Sequence, residues 1–195
     1  MNPPSVVAAT PAQRDAVVHT LTLAFAGDPV NRWYLPDADR FLTYFPQIVA
    51  SFIDQSIAAG ACFVTEDLAG AALWLPPGVS GDDAAMEAIV AQAAPPEVLA
   101  PMGDLFAQFE NYHPHDDDLW YLPLIGVDPG HQGKGVGGAL MKHALAIIDA
   151  AGALSYLESS TPKNVPLYER HGFEAMVRLP FARDGIVTPM VRQRR

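Results

Sequence analysis

Apolar positions at helical spacing fill most of the first half of the chain, and one pair of short apolar runs interrupts them. The first helix is predicted from residue 10 to about 26. Thr10-Pro11-Ala12-Gln13 supplies an N-cap, a proline at the first helical position and a capping-box glutamine, and Gly27-Asp28-Pro29 closes the helix. A second apolar helix is predicted over 40–59, kinked at Pro46 and stopped at Gly60. ACFVTE and AGAALWLP are too short for helices and predict two strands joined by a tight turn near Asp67. Helical spacing returns over 82–94 and 97–112, divided by Pro95-Pro96, with loops at 78–83 and 113–118.

The second half alternates. LWYLPLIGV predicts a strand, a glycine-rich loop follows, and 137–151 predicts a helix. LSYLESS is a strand, NVPLYERHG a short helix, and EAMVRLPF with IVTPMVRQ a hairpin across Arg183-Asp184-Gly185. This order predicts an α/β (α+β) domain with a mixed sheet. No repeat or composition break divides the chain, so one domain over 1–195 is expected.

Composition narrows the class. Half of the residues are apolar and 17% are charged, as in globular proteins. No apolar run approaches the roughly 20 residues that span a bilayer, and MNPPSVVAAT shows no signal-peptide pattern. Cys62 is the single cysteine, which excludes an intrachain disulfide and points to a cytoplasmic location; its strand-like setting predicts a buried, inert thiol. The net charge of −10 disfavours nucleic acid and membrane surfaces as partners and suits a cationic small molecule.

The loop VDPGHQGKGVGG carries the chemistry. A P-loop needs glycine five before Gly133 and a hydroxyl after Lys134, whereas the chain has Asp128 and Gly135 there. Gly133, Gly135 and Gly138 fit the dinucleotide pattern G-x-G-x-x-G, with Glu158 20 residues beyond Gly138. Yet DPGHQ separates the strand from Gly133, and only 37 residues follow Glu158, too few to complete a dinucleotide-binding sheet. The whole stretch instead predicts consecutive backbone N–H groups gathered at a helix N-terminus, a setting for a pyrophosphate.

V-x-P-x-x-Q-G-x-G-x-G, filled by Val127, Pro129, Gln132, Gly133, Gly135 and Gly137, resembles the acetyl-CoA loop of the GNAT acyltransferase superfamily. Asn164, Tyr168, Gly172 and Phe173 match its N-x3-Y-x3-G-F block. At finer grain AFAGDP, ALWLPPG, WYLPLIGVDPGHQGKGVG and YLESSTPKNVPLYERHGF resemble puromycin-type N-acetyltransferases. Those relatives often carry histidine where this chain has Leu119.

The resemblance implies a GNAT fold: a mixed central sheet with splayed middle strands, flanked by helices, and a coenzyme-binding core at about 119–175. It implies acetyl-CoA as co-substrate, held by Ile125, Val127, Gln132, Gly133, Lys134, Gly135, Val136, Gly137, Gly138, Asn164 and Tyr168. The Val127 N–H becomes the oxyanion donor and Tyr168 the general acid. Tyrosine titrates near ~10, above a thiol at ~8.5, so it stays protonated and can donate to the departing sulfur. Glu158, a carboxylate in an otherwise apolar strand, is the expected base or ammonium anchor, with a structural salt bridge as its alternative role. Asp116 to Asp118 with His113 and His115 suggest a metal cluster only superficially; a solvated loop and no metal are expected. Glu169, Arg170 and the C-terminal Arg-Gln-Arg-Arg read as solvated charge. The expected activity is acetyl transfer to a primary amine of a small cationic substrate. A coenzyme-binding sensor without turnover and a nicotinamide-dependent oxidoreductase are the alternatives, and a homodimer is left open.

Overall fold

The computed structural model describes residues 4–195. Met1, Asn2 and Pro3, on which the signal-peptide expectation partly rests, lie outside the described residues. The strands are β1 (Val6–Ala8), β2 (Cys62–Thr65), β3 (Gly70–Leu75), β4 (Leu119–Val127), β5 (Leu154–Ser159), β6 (Glu174–Ala175), β7 (Leu179–Phe181) and β8 (Gly185–Arg192). They form a sheet in the order β1-β2-β3-β4-β5-β8-β6, with β7 added on β8. The β4–β5 pairing is parallel and the others are antiparallel, so the sheet is mixed as expected.

The helices are α1 (Arg14–Phe25), α2 (Pro29–Tyr34), α3 (Ala38–Ala58), α4 (Asp83–Ala93), α5 (Pro96–Tyr112), α6 (Val136–Ala150) and α7 (Val165–Arg170). Residues of α1, α3, α4 and α5 share one core with Leu73, Leu75 and Leu124 of the sheet. Residues of α6, together with Tyr168 of α7, share another with Phe63, Trp74 and Leu157. The two cores lie on opposite faces, as the alternation of side chains along each strand requires. Among the described residues, no helix is long and apolar enough to cross a membrane.

Three local features differ from the sequence reading. The edge strand β1 was not anticipated; three residues leave too short an alternation to detect. Gly27-Asp28-Pro29 does end α1, but it also starts α2. Asp28 accepts hydrogen bonds from the Val30 and Asn31 N–H groups, both at 3.0 Å, and Pro29 takes the first helical position. The C-terminal hairpin is broken: β7 and β6 both pair with β8, and residues 176–178 between them belong to neither strand. By contrast, α3 runs through Pro46 without a break.

The centre of the sheet positions the site. From the Leu73–Leu124 pair to the Leu75–Tyr121 pair, β4 advances three residues while β3 advances two. That extra residue is a β-bulge, which bends a strand and switches its side-chain phase. Accordingly Trp120 and Leu122 join the α6-side core before the bulge, and Ile125 and Val127 join it afterwards. On the other edge, β4 and β5 pair only at Leu119–Leu154, Trp120–Ser155 and Tyr121–Tyr156. Beyond that point β4 remains on β3 as far as Val127, and β5 remains on β8 as far as Ser159. The two central strands therefore splay. Gly126 stays within the β3–β4 ladder, opposite Ala71. Its missing side chain serves packing, because a Cβ there would lie 2.7 Å from Ala24 Cβ on α1.

Candidate active site

The splay opens a row of unpaired peptide groups. Asp128 N–H donates to Ala69 O at 2.8 Å, which sets the phase of the β3–β4 hydrogen bonds. Alternate residues of an antiparallel strand bond to the partner or face away from it. Val127 and Ile125 thus turn their N–H and C=O groups away from β3, toward the space that β5 has left.

The glycine loop closes one end of that space. Asp128 Oδ1 accepts from the Gly130 N–H at 2.8 Å and lies 3.1 Å from His131 Nδ1. The His131 contact is the main cause holding the Asp128 carboxyl below its ordinary range. Gln132 Nε2 donates back to Val127 O at 3.2 Å, and Lys134 Nζ donates to Gly130 O at 2.8 Å. Gly133 and Gly135 have φ of +74° and +84°, in the left-handed region that side chains disfavour. Gly135 caps α6. No atom lies within 4 Å of where a Cβ would stand on either glycine, so the loop is an open cradle at the positive end of the α6 dipole.

A cleft of about 970 Å³ runs from this loop along the splay to α7. Ile125, Val127, Gln132, Gly133, Gly135, Val136, Gly137, Gly138, Asn164 and Tyr168 all line it. Lys134 does not; its ammonium is spent within the loop, on Gly130 O. Asn164 occupies the N-cap position of α7, and Tyr168 follows one turn later, buried against Phe173. Burial, reinforced by the nearby Asp28 charge, raises the Tyr168 hydroxyl above the usual tyrosine range. It is held protonated.

Asp28 is a cleft residue whose setting the sequence did not disclose. Its Oδ1 accepts from Val30 N–H, Asn31 N–H and Asn31 Nδ2, while its Oδ2 accepts from Ser160 Oγ. The α1–α2 turn is thereby tied to the segment leaving β5. Only the Asp-Pro pair hinted at this, as a helix start.

Glu158 does not line the cleft. It is half-buried, two residues beyond the last β4–β5 pair, on the sheet face away from α6. Tyr121 Oη donates to Glu158 Oε2 at 2.9 Å. Burial pushes the Glu158 carboxyl up to about 7, against the opposing effect of the Tyr121 hydrogen bond. The ring of His113 stands edge-on to those of Tyr121 and Tyr156, at 5.1 and 4.8 Å. No cation pairs with Glu158 among the described residues, so the salt-bridge role falls away.

The remaining candidates resolve by contact. Asp116 and Asp118 are bound by Arg194 at 2.7 and 2.6 Å, so the acidic loop and the basic C-terminus brace one another rather than standing free in solvent. Cys62 is buried, and its thiol is pushed up to about 12 by that burial, which makes it a poor nucleophile.

Residues 99–175 match a family model described as an acetyltransferase (GNAT) domain. An uncharacterised N-acetyltransferase of Schizosaccharomyces pombe is 28% identical over 186 residues, which cover 88% of this chain and 74% of that protein. A solved structure from Corynebacterium glutamicum, titled as histone acetyltransferase HPA2 and related acetyltransferase, is 28% identical with a TM-score of 0.71, covering 100% of this chain and 98% of the other. Residues 99–175 are thus a GNAT acetyltransferase domain, within a chain of GNAT fold. The fold of this GNAT enzyme is also shared by arylalkylamine N-acetyltransferase 2 from Aedes aegypti, at 14% identity and a TM-score of 0.73 over 98% of this chain and 99% of that one. Bulge, splay and glycine-capped α6 thus belong to an acyltransferase.

Proposed function

We propose that this enzyme transfers an acetyl group from acetyl-CoA to a primary amine of a small cationic molecule, within one domain that spans the chain. The observation that carries the reading is the phase of β4. Ile125 turns its peptide groups, and Val127 its N–H, away from β3 and into a cleft that ends at an open, positively polarised loop, while the Val127 carbonyl is held by Gln132. An amide-rich arm ending in a pyrophosphate needs that pair of features. The bare Cβ positions of Gly133 and Gly135 leave room for the pyrophosphate against the backbone.

When bound, the coenzyme supplies a thioester carbonyl open to attack. Gln132, Gly133 and Gly135 to Gly138 hold the pyrophosphate end, and Asn164 and the β4 backbone orient the arm. The Val127 N–H is placed to receive the carbonyl oxygen as it gains charge. Tyr168, held protonated, donates to the sulfur as the C–S bond breaks. Glu158 stands at the apex of the splay on the face opposite α6. With a carboxyl titrating at about 7, it can take the proton that the ammonium must lose before attack. The acidic balance of the chain and the arylalkylamine named for the mosquito enzyme both support an amine that arrives as a cation.

The test combines binding with turnover. Acetyl-CoA should raise the melting temperature and NAD should leave it unchanged, and a panel of amines including aminonucleosides should yield acetylated product. Gly135→Asp, which sets a carboxylate against the pyrophosphate in a left-handed backbone, should abolish coenzyme binding. Wild-type affinity in that variant would refute the loop assignment. Coenzyme binding with no turnover on any amine would leave a sensor in place of an enzyme.

A further inference from the structure

A second pocket, of about 280 Å³, lies on the outer side of α6, beside the C-terminal end of α7. Its charge is at odds with the rest of the molecule. The protein carries a net −10, yet four of its 12 Lys and Arg residues line this pocket (Lys142, Arg170, Arg192 and Arg195), together with His171. Asp149 is the sole carboxylate among the lining residues, and Arg192 takes both of its oxygens, at 2.6 and 2.8 Å. Lys142, Arg170 and Arg195 make no ion pair among the described residues. Cations crowded without counter-ions repel one another, and a bound anion relieves that cost.

The pocket is continuous with the large cleft, because Arg170 and His171 line both. His171 Nε2 would lie 3.8 Å from a Cβ on Gly138, in the first turn of α6. Lys142 is four residues further along α6, which is about 6 Å at the helical rise per residue. A ligand whose diphosphate rests on the loop therefore has a cationic patch within about two helical turns of it.

We propose that this pocket binds a phosphomonoester dianion, held by Lys142, Arg170, His171 and Arg195. On the reading of the large cleft as the coenzyme site, the 3′-phosphate on the coenzyme's ribose is the anion that reaches it. A separate phosphorylated molecule would be recognised by the same chemistry. Arg192 acts beneath these groups as a fixed floor, neutralised by Asp149 and donating to His171 O at 2.8 Å.

Calorimetric affinities for acetyl-CoA and 3′-dephospho-acetyl-CoA test this, measured on the wild type and on a Lys142→Glu, Arg170→Glu double variant. Both side chains are exposed, so the variant should melt as the wild type does. Lys142→Ala serves as a milder second variant. The wild type should bind acetyl-CoA about ten- to a hundredfold more tightly than the dephospho form, the worth of charge-assisted contacts. The double variant should lose that preference, and Lys142→Ala, which lies outside the large cleft, should weaken it while binding the dephospho form as the wild type does. Inorganic phosphate at millimolar concentration is the second probe. If it raises the melting temperature of the wild type but not of the variant, and the two coenzymes bind equally, the pocket serves a separate phosphorylated ligand. Equal binding of both coenzymes with no effect of phosphate overturns the proposal. If neither coenzyme binds the wild type, the reading of the large cleft fails, and the phosphate probe alone decides for or against the pocket.

Discussion

Replacing Glu158 by glutamine keeps the size of the side chain and its capacity to accept from Tyr121 Oη, and removes only the charge. The carboxyl moves from an ordinary 4.5 to about 7 because burial disfavours its ionised form. Its folded-state value is thus raised above its unfolded value. The wild type keeps its full stability below the unfolded value and loses stability as pH rises through the folded one. A displacement of that size corresponds to about 2–3 kcal/mol after allowance for the half-buried setting. The glutamine variant carries no such cost. Denaturant melts without coenzyme should therefore show wild type and Glu158→Gln nearly equal at pH 4. The variant should gain steadily between pH 4.5 and 7, by about 2–3 kcal/mol, and then hold a constant advantage.

Activity should move the opposite way. As a base, Glu158 works only when ionised, so kcat/KM for a weakly basic amine should rise with pH through about 7. A weakly basic acceptor removes the amine's own titration from this range. The limb should vanish in Glu158→Gln, while acetyl-CoA affinity stays at the wild-type level. For strongly basic amines the loss should be larger, and partly rescued at high pH, where solvent supplies the neutral amine. A stability difference that is flat from pH 4 to 8 would refute the burial of the charge. A limb near 7 that survives the substitution would assign it to another group.

Tyr168→Phe removes a hydroxyl and keeps the buried ring; kcat should fall by about 10² to 10⁴ with donor affinity little changed. Unchanged turnover in single-turnover measurements would return Tyr168 to a packing role. Asp149→Ala leaves the Arg192 guanidinium buried, at 2% exposure, without its carboxylate. With Asp149 itself partly exposed, the loss should be about 1–3 kcal/mol in a denaturant melt, and a loss well below 1 kcal/mol would show that the pair contributes little to the join between α6 and β8.

The glycine loop and the cleft it closes were legible because their requirements are local. Left-handed backbone at Gly133 and Gly135 admits few residues other than glycine, and the tyrosine one turn after Asn164 follows from helical spacing. A run of neighbouring residues thus records the geometry directly. Helix-capping signals also read correctly where one residue has one job, as in the bond from Thr10 N–H to Gln13 Oε1 at 2.9 Å. The further role of Asp28 was not legible, because one side chain does two jobs, capping α2 and receiving Ser160 Oγ from 132 positions away. Lys134 sits at an open position of the motif, and its ammonium is taken by Gly130 O.

The surroundings of Glu158 have no such run. Glu158 and Tyr121 meet because β4 and β5 are parallel neighbours, Tyr121 standing in their last pair and Glu158 two residues beyond it on the same face. His113 reaches the same two tyrosines from the end of α5, and Asp28 arrives from the α1–α2 turn. None of these contacts has a sequence spacing that the chemistry dictates; each depends on topology alone. The two regions are therefore separable in sequence. Substitutions at Tyr121, His113 or Ser160 should alter the surroundings of Glu158 and Asp28 and leave the glycine loop, fixed by its backbone, unchanged.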